Sequence, residues 1–467
     1  MIRCTASAAA ALLLAGCASF STDGGFDRVS ELTKERTGQA PAWQRSAQDG
    51  ENARVRVDEL LRQPLSAETA VEVAFLNNRG LQANLQSLGI AESELVRAGR
   101  LANPVFSFGR MREGSGVVEI ERSVMFNVLG LITMPIARQV EQGRFEQAQL
   151  QAASDAVAVA AEARLAFYGA VAAQELVKYL QQVKEAADTS NELARRMVQA
   201  GNFNKLAQMR EQAFYADATS ELARAQHQAV AARERLARAL GLWGRQLDFQ
   251  LPERLPDLPK APVEPKNAEQ SAMGKRLDVL AARRGAESTA RSLGLTRTTG
   301  FINVLELGYA NKSVSGEPRA NGWELELELP LFDFGSTRRA RAEATYMQAL
   351  HRAAEVAVNA RSEVRESYSA YRTAYDLARH YRDEVIPLRK RISEENLLRY
   401  NGMLIGVFEL LADSREQVRG VTAYVQALRD FWMADTHLNT ALTGRSPGAG
   451  AAAGATPEAA APAAAAH

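Results

Sequence analysis

Few side chains in this 467-residue sequence are placed to do covalent, redox or metal chemistry. Two cysteines are too few for a disulfide framework or a cysteine-rich metal site. The five histidines are scattered without metal-ligand spacing, and no glycine-rich phosphate loop precedes a helix. Lys and Arg total 56 against 55 Asp and Glu, so no basic excess indicates a nucleic-acid partner. The sequence predicts a protein that is not an enzyme and uses no cofactor, metal or nucleic acid.

Cys17 is the residue with a predicted covalent role. Residues 1–16 carry Arg3, a short apolar stretch and small residues, which is typical of a secretory signal peptide. The ending Leu14-Ala15-Gly16-Cys17 resembles the lipobox at which bacterial lipoproteins are cleaved and the new N-terminal cysteine is acylated. No Asp follows Cys17, which favours the outer membrane. We expect Cys17 to be the lipid attachment site; in the alternative, an ordinary secretory signal, Cys17 has no role.

An internal repeat determines which elements position the remaining candidates. Identical residues recur 201 positions apart without a gap between Arg138 and Gly201, for example Glu162 and Glu363, or Gly201 and Gly402. Each copy is predicted to contain a modest helix, two short strands, a very long helix, a glycine break and a second helix. The chain is therefore predicted to be one plan used twice.

The domain boundaries follow from this repeat and from composition. Residues 251–265 carry five prolines, which exclude helix and predict an extended linker between the copies. The Ala/Pro-rich end is predicted to be disordered. The predicted parts are the signal peptide 1–16, a lipid-anchored extension 17–65, repeat one 66–250, the linker 251–265, repeat two 266–444 and the tail 445–467.

Period-two alternation predicts β-hairpins at residues 103–127 and 300–331. The stretch Trp323–Leu329 (WELELEL) puts its apolar side chains on one face and its carboxylates on the other. Four strands cannot close a barrel, and an open sheet edge is not tolerated in lipid. The four strands of one chain must therefore be completed by other chains, or lie in water.

The helical part is too long for a compact domain. Residues 135–200 form a predicted helix of about 65 residues, or ~98 Å at 1.5 Å per residue, and an apolar stripe along it favours coiled-coil packing. Pro387 is expected to kink the corresponding helix of copy two. Turns are predicted near residues 201–204 and 401–406. The fold class is thus mainly α with a small β part.

This arrangement resembles the TolC family of outer-membrane efflux channel proteins, in its lipoprotein branch. Residues 276–282 (RLDVLAA) are similar to the family's Arg-Pro-Asp-[ILV]-x-Ala-Ala, with Leu277 in place of proline. Asn103-Pro104, residues 329–335 (LPLFDFG) and residues 400–411 (YNGMLIGVFELL) also fit. The resemblance implies a homotrimer with a twelve-stranded β-barrel on an α-helical tunnel. It further implies passive export of solutes from an inner-membrane pump through a periplasmic adaptor.

The resemblance also implies roles for residues at the helical tips. The family narrows its tunnel with acidic rings on the last long helix, and Glu409 matches one such position. The second ring position falls on Ala412, with Asp413 one residue later, so Glu409 and Asp413 are the expected pore-aperture residues. At an offset of 201, the copy-one counterpart of Glu409 is Gln208. The expected tip and adaptor-contact residues are Gly201, Asn202, Gly402 and Gly406.

One alternative comes from a different class of protein. A lipid-tethered periplasmic coiled-coil scaffold with a soluble β-head would also carry a lipobox and long helices. It does not explain two hairpins with an acidic face at matching places in a duplicated chain.

Overall fold

The structure, a computed structural model, describes residues 19–112, 114, 116–299, 304–328 and 332–445. Cys17, residues 300–303 and 329–331 of the predicted second hairpin, and the tail beyond residue 445 lie outside these residues.

The first copy begins with helices and continues through a hairpin into two long helices. The segment predicted only as an N-terminal extension forms two helices, and Ser46 caps the second of them in a reciprocal capping box with Asp49. The elements are α1 (Phe26–Thr37), α2 (Ala47–Leu60), α3 (Ala67–Asn77), α4 (Arg79–Ala98), β1 (Val105–Arg112), β2 (Val118–Asn127), α5 (Val128–Gln199) and α6 (Lys205–Leu240), followed by a 3₁₀ turn (Gly244–Leu247).

The second copy has the same order of elements after a linker, residues 251–265, that contains no helix or strand. Its elements are α7 (Ala268–Lys275), α8 (Leu277–Thr299), β3 (Leu305–Val314), β4 (Ala320–Leu327), α9 (Ser336–His380), a π-helical turn (Tyr381–Val385), α10 (Ile386–Asn401) and α11 (Val407–Thr443). The π turn and Pro387 interrupt the long helix together, because proline cannot donate the next backbone hydrogen bond. The chain thus repeats one plan in its described part.

The chain divides into two compact units, and the first contains the sheet. This unit comprises the described residues before 30 together with 84–152 and 277–358. Its four strands form one antiparallel sheet in the order β1-β2-β3-β4, so the two hairpins join through β2 and β3. Within the described strands, β1 and β4 are the two open edges of this sheet. The mainly helical chain with a small antiparallel sheet confirms the predicted fold class for one chain.

The second unit comprises residues 30–83 and 153–276 with the described residues from 359 onward, and it is a helical bundle. Alanine is the most frequent buried residue in this unit. In one cluster, Ala272, Val364 and Ala441 pack together. Arg276 is only 1% exposed, and its guanidinium lies 2.9 Å from the Glu363 carboxylate and 3.1 Å from the Ala441 carbonyl. A buried charge is tolerated when it is paired and hydrogen-bonded in this way.

Within this second unit, Arg36 of the N-terminal segment forms hydrogen bonds with the C-terminal ends of two other helices. The Arg36 guanidinium donates to the carbonyls of Lys275 and Thr443, the last residues of α7 and α11. A cation at a helix C-terminus satisfies orphan carbonyls and complements the helix dipole. Arg164 on α5 in turn donates to the Thr37 carbonyl at 3.0 Å. The predicted extension is therefore an integral part of the bundle.

One helix in the described part of the chain, α5, has an 18-residue window that is apolar enough to cross a membrane by length and composition. More than half of that window, 56%, is buried inside the structure. The buried residues of α5 include Ala153, Ala156, Ala160 and Val171. This pattern is typical of a core helix.

Candidate functional site

The sheet has one apolar face that is left exposed by the part of the chain that the structure describes. Residues directly opposite each other in the ladder share a face, and the pairs Leu307–Leu325 and Tyr309–Trp323 place four large apolar side chains together. Trp323 is 77% exposed. Other exposed members of this apolar face are Phe106, Phe108, Phe126 and Leu327. An apolar patch of this extent marks contact with protein or membrane.

A row of polar side chains extends across β2, β3 and β4 on this same face, at the end of the sheet nearer the hairpin turns. Arg122 on β2 donates to the Asn311 side chain on β3 at 3.1 Å, and Asn311 donates to Asn321 on β4 at 2.6 Å. Tyr309 and Trp323 lie two positions nearer the helices than this row. Aromatic side chains beside a polar row are typical of the boundary between lipid and water.

The opposite face of the sheet is acidic. Glu306 and Glu326 are directly paired in the ladder, although like charges placed opposite each other destabilise a sheet. Glu119 and Glu121 on β2 both pair with Lys312 on β3. Glu324 lies on this acidic face too. Five carboxylates against one lysine require water, so this face must be solvated.

Gly201 forms the turn at the tip of the first helical pair, α5 and α6. It has a left-handed φ of 75°, and the Asn202 N–H donates to the Met197 carbonyl at 2.9 Å. This is a Schellman ending, for which glycine is the preferred residue. Asn204 then caps α6 by accepting from the Ala207 N–H at 2.8 Å. The chain reverses within a few residues here.

The second tip, between α10 and α11, uses a different residue for the same turn. Gly402 has an ordinary φ of −80°, whereas Met403 takes the left-handed φ of 56°. The Leu404 N–H donates to the Arg399 carbonyl at 2.8 Å, as in the first tip. Gly406 is the N-cap of α11, where Asn204 caps α6, so the structural offset between the two tips is 202 throughout the turn. The two turns have the same length, so the additional residue of copy two lies before the turn, where the π turn (Tyr381–Val385) accommodates it in the long helix.

Glu409 and Asp413 lie on the first two turns of α11 but face different surroundings. Glu409 is exposed, and its N–H donates to the Gly406 carbonyl. Asp413 is 91% buried, and its Oδ2 has no hydrogen-bond partner among the described residues. With the offset of 202, Glu409 corresponds to Ala207 rather than to Gln208, and Asp413 corresponds to Glu211. In this conformation the structure exposes the Glu409 carboxylate and buries that of Asp413.

Sequence reasoning missed a buried ionic cluster that ties α11 to the first helical pair. Glu211 on α6 is 2% exposed; it accepts from Ser190 on α5 and pairs with Arg415 on α11, each at 2.8 Å. The Arg415 guanidinium also lies 4.5 Å from the centroid of the Phe214 ring, a cation–π contact. No motif in the sequence relates Glu211 to Arg415, which are 204 residues apart. This cluster joins three helices near the tips.

An apolar cluster adjoins the same three helices. Val183 and Ala187 on α5 pack with Ala218 on α6, and Val418 on α11 packs against them. These contacts continue the apolar stripe that the sequence predicted for α5. The ionic cluster and the apolar cluster together attach α11 to the α5–α6 pair.

Comparison with known proteins identifies the fold. No family model matches the sequence, and no curated protein sequence matches it. Among solved structures, the outer-membrane channel OprN has a TM-score of 0.69 at 19% identity, covering 83% of this chain and 91% of its own. The outer-membrane protein VceC of Vibrio cholerae has a TM-score of 0.67 at 15% identity, covering 84% and 97%.

A third match is the open state of the MtrE outer-membrane channel of Neisseria gonorrhoeae, with a TM-score of 0.61 at 16% identity, covering 81% of this chain and 89% of MtrE. These structures are outer-membrane channels of the TolC family. This chain has their fold over more than four fifths of its length. The resemblance found in the sequence is thereby confirmed at the level of the fold.

Proposed function

We propose that this protein is the outer-membrane exit duct of a tripartite efflux system. Three chains would form a twelve-stranded barrel on a helical tunnel, through which solutes pass passively. An inner-membrane pump would deliver the solutes through a periplasmic adaptor. The observation that carries the proposal is the sheet, which has two open edges, one uncovered apolar face and one acidic face.

The two faces and two edges fit a closed wall between lipid and water. In lipid every backbone N–H and C=O must be paired, so β1 of one chain would pair with β4 of the next. The apolar face would contact acyl chains, and the acidic face would line a water-filled lumen. Two chains would supply eight strands, whose interior is filled by side chains, whereas more strands enclose a passage. Three chains therefore fit transport better than two.

The N-terminus would hold the assembly to the membrane. We propose that Cys17 carries the lipid, as its lipobox predicts, and that the helices extend into the periplasm. Each buried CH₂ of an acyl chain adds about 0.8 kcal/mol of membrane affinity, so several chains anchor a protein durably.

The tips would be the periplasmic end of the duct. Gly201 and Asn202 form the first turn, and Gly402 and Gly406 flank the second, where Met403 is 93% exposed. Exposed apolar side chains at such turns favour docking of another protein, and we assign that role to the adaptor. Three Glu409 side chains brought together would repel each other and attract cations, which suits an aperture. Asp413 would join that aperture only if α11 turned its buried face outwards.

Gel migration without heating tests the proposal against the scaffold alternative. We expect purified full-length protein to run as an SDS-resistant trimer and to become a monomer after boiling, because closed barrels keep their strand pairing in SDS. A scaffold with a soluble β-head would run as a monomer under both conditions, and that result would rule out the duct.

A further inference from the structure

A cavity of about 310 Å³ in the first unit has a lining that is positively charged. It lies between α5, α8 and α9, and three arginines line it: Arg144, Arg338 and Arg341. None of the described residues that line the cavity is Asp or Glu. Each guanidinium group carries one positive charge and five N–H donors. The lining therefore carries three positive charges with no carboxylate in the wall.

The arginines differ in how far their charge is already compensated. Arg144 pairs with Glu141, which is outside the lining, at 2.6 Å. Arg341 has no ion pair or side-chain hydrogen bond among the described residues, although many other arginines of this chain are paired. Arg341 is exposed, so its five N–H donors remain accessible to a ligand. An anion in the cavity would find donors that are not already used.

Most of the hydroxyl groups in the cavity wall have no free hydrogen-bond donor to offer a ligand. Thr296 and Thr299 donate to carbonyls four residues earlier in α8, at 3.0 and 2.9 Å, and Thr345 does the same in α9 at 2.8 Å. These hydroxyls keep only acceptor capacity, so the donors to an anion come from the guanidinium groups. Ser292 has no side-chain partner among the described residues, and its hydroxyl adds one more donor.

We propose that this cavity binds a phosphate group that belongs to a larger organic molecule. Planar guanidinium groups recognise phosphate through paired, charge-assisted hydrogen bonds. The volume is at the lower end of the range for small-molecule sites, about 300–1,000 Å³, and exceeds what phosphate alone fills. Buried Leu293 and half-buried Ala342 provide an apolar floor for the rest of the molecule.

The place of the cavity in the fold indicates where such a molecule comes from. Thr299 is the last residue of α8, close in sequence to the start of β3, and Arg338 lies in the first turn of α9, after β4. The cavity is thus at the sheet end of these helices. If the sheet spans the outer membrane, as proposed above, the cavity lies near the headgroups of the periplasmic leaflet. Recognition of phosphate itself does not rest on the proposed function; only the lipid source does.

Calorimetry on the full-length protein in a phosphate-free detergent tests the inference. The probes are dihexanoyl-phosphatidylglycerol, inorganic phosphate and dihexanoylglycerol, which lacks phosphate. The test variant is R338Q/R341Q, and its matched control is R97Q/R283Q, which removes two exposed arginines of the same unit away from the cavity. A second variant, R144Q, removes the remaining guanidinium. Circular dichroism melting confirms that each variant is folded.

We expect phosphatidylglycerol to bind the native protein and the control equally, and R338Q/R341Q at least about tenfold more weakly, because two charge-assisted contacts are lost. R144Q is expected to lie between them. Inorganic phosphate is expected to bind more weakly than phosphatidylglycerol, and equal affinities would show that the cavity takes a free phosphate ion and would overturn the claim for a larger molecule. Binding of dihexanoylglycerol as tight as that of the phospholipid, or equal affinities in the test and control variants, overturns the inference.

The same samples separate this inference from the proposed function. A protein that runs as an SDS-resistant trimer but binds no phosphate probe refutes the phosphate site alone. A monomeric protein that binds phosphate through Arg338 and Arg341 refutes the duct and leaves the site intact.

Discussion

Removing Arg415 is expected to release α11 from the first helical pair. In R415A the Glu211 carboxylate remains buried and keeps Ser190 as its one described partner. Breaking a fully buried ion pair costs about 3–5 kcal/mol, and an exposed pair contributes about 0–1 kcal/mol. Because Arg415 is 30% exposed, solvent screens part of this interaction. We therefore expect a local loss of stability of about 2 kcal/mol.

Hydrogen exchange measures this local loss. A change of 2 kcal/mol corresponds to an increase of about 30-fold in the opening constant, so amides of residues 183–220 and 407–420 should exchange about that much faster. The exchange rates of amides in the sheet should be unchanged. The matched control is R419A, because Arg419 on the same helix is 78% exposed and pairs with Glu416.

A double substitution completes the test. E211L/R415L replaces both charges with apolar groups and is expected to recover most of the protection that R415A loses, since no buried charge remains. Equal exchange in R415A and R419A would show that the buried cluster does not hold α11 against the α5–α6 pair.

The remaining predictions concern the turns, the sheet and pH. G201A is expected to cost about 1–2 kcal/mol in the free energy of unfolding, because a left-handed φ strains any side chain, and M403G should be neutral or slightly stabilising; thermal melting measures both. Changing Glu306, Glu324 and Glu326, the three carboxylates of β3 and β4, to glutamine should reduce cation selectivity in planar bilayers. The reduction should exceed that of E409Q, because E409Q removes only one carboxylate per chain. Burial lowers the pKa of His437 from 6.5, so the melting temperature should fall as pH drops below about 6.5, and H437Q should flatten that fall.

Each of these predictions has a control in the same chain. G89A, at a helical glycine with free space around it, should stabilise α4, because alanine favours helix; a similar gain in G201A would contradict the turn geometry. Neutralising three helical carboxylates (Glu51, Glu59 and Glu94) should leave selectivity unchanged. A pH profile of H437Q identical to that of the native protein would exclude His437 as the group responsible.

The sequence predicted the repeated plan because its signals are local. Period-two alternation marks strands such as Ala320–Leu327, and a run of small residues with regular apolar spacing marks α5. A high density of prolines marked the linker, because proline has a fixed φ and no backbone N–H and therefore disfavours helix. These features depend on neighbouring residues only, so they are readable without a structure.

The features that the sequence did not reveal depend on contacts between distant residues. The pairing of Glu211 with Arg415 and the contacts of Arg36 with two helix ends join segments that have no common pattern. The second turn places its left-handed residue at Met403 instead of Gly402, because the π turn (Tyr381–Val385) has already shifted the register of copy two by one residue. Side-chain alignment at a fixed offset therefore misplaced the copy-one counterpart of Glu409.

Disulfide cross-linking between the two sheet edges tests the central claim most directly. S107C on β1 is combined in turn with a cysteine at each position of β4, and S107C alone controls for reaction with Cys17. If β1 of each chain pairs with β4 of the next, neighbouring positions in one register will give a covalent trimer on a non-reducing gel, with no larger product. Cross-links confined to single chains, products that end at a dimer, or no product at any position would contradict a closed three-chain wall.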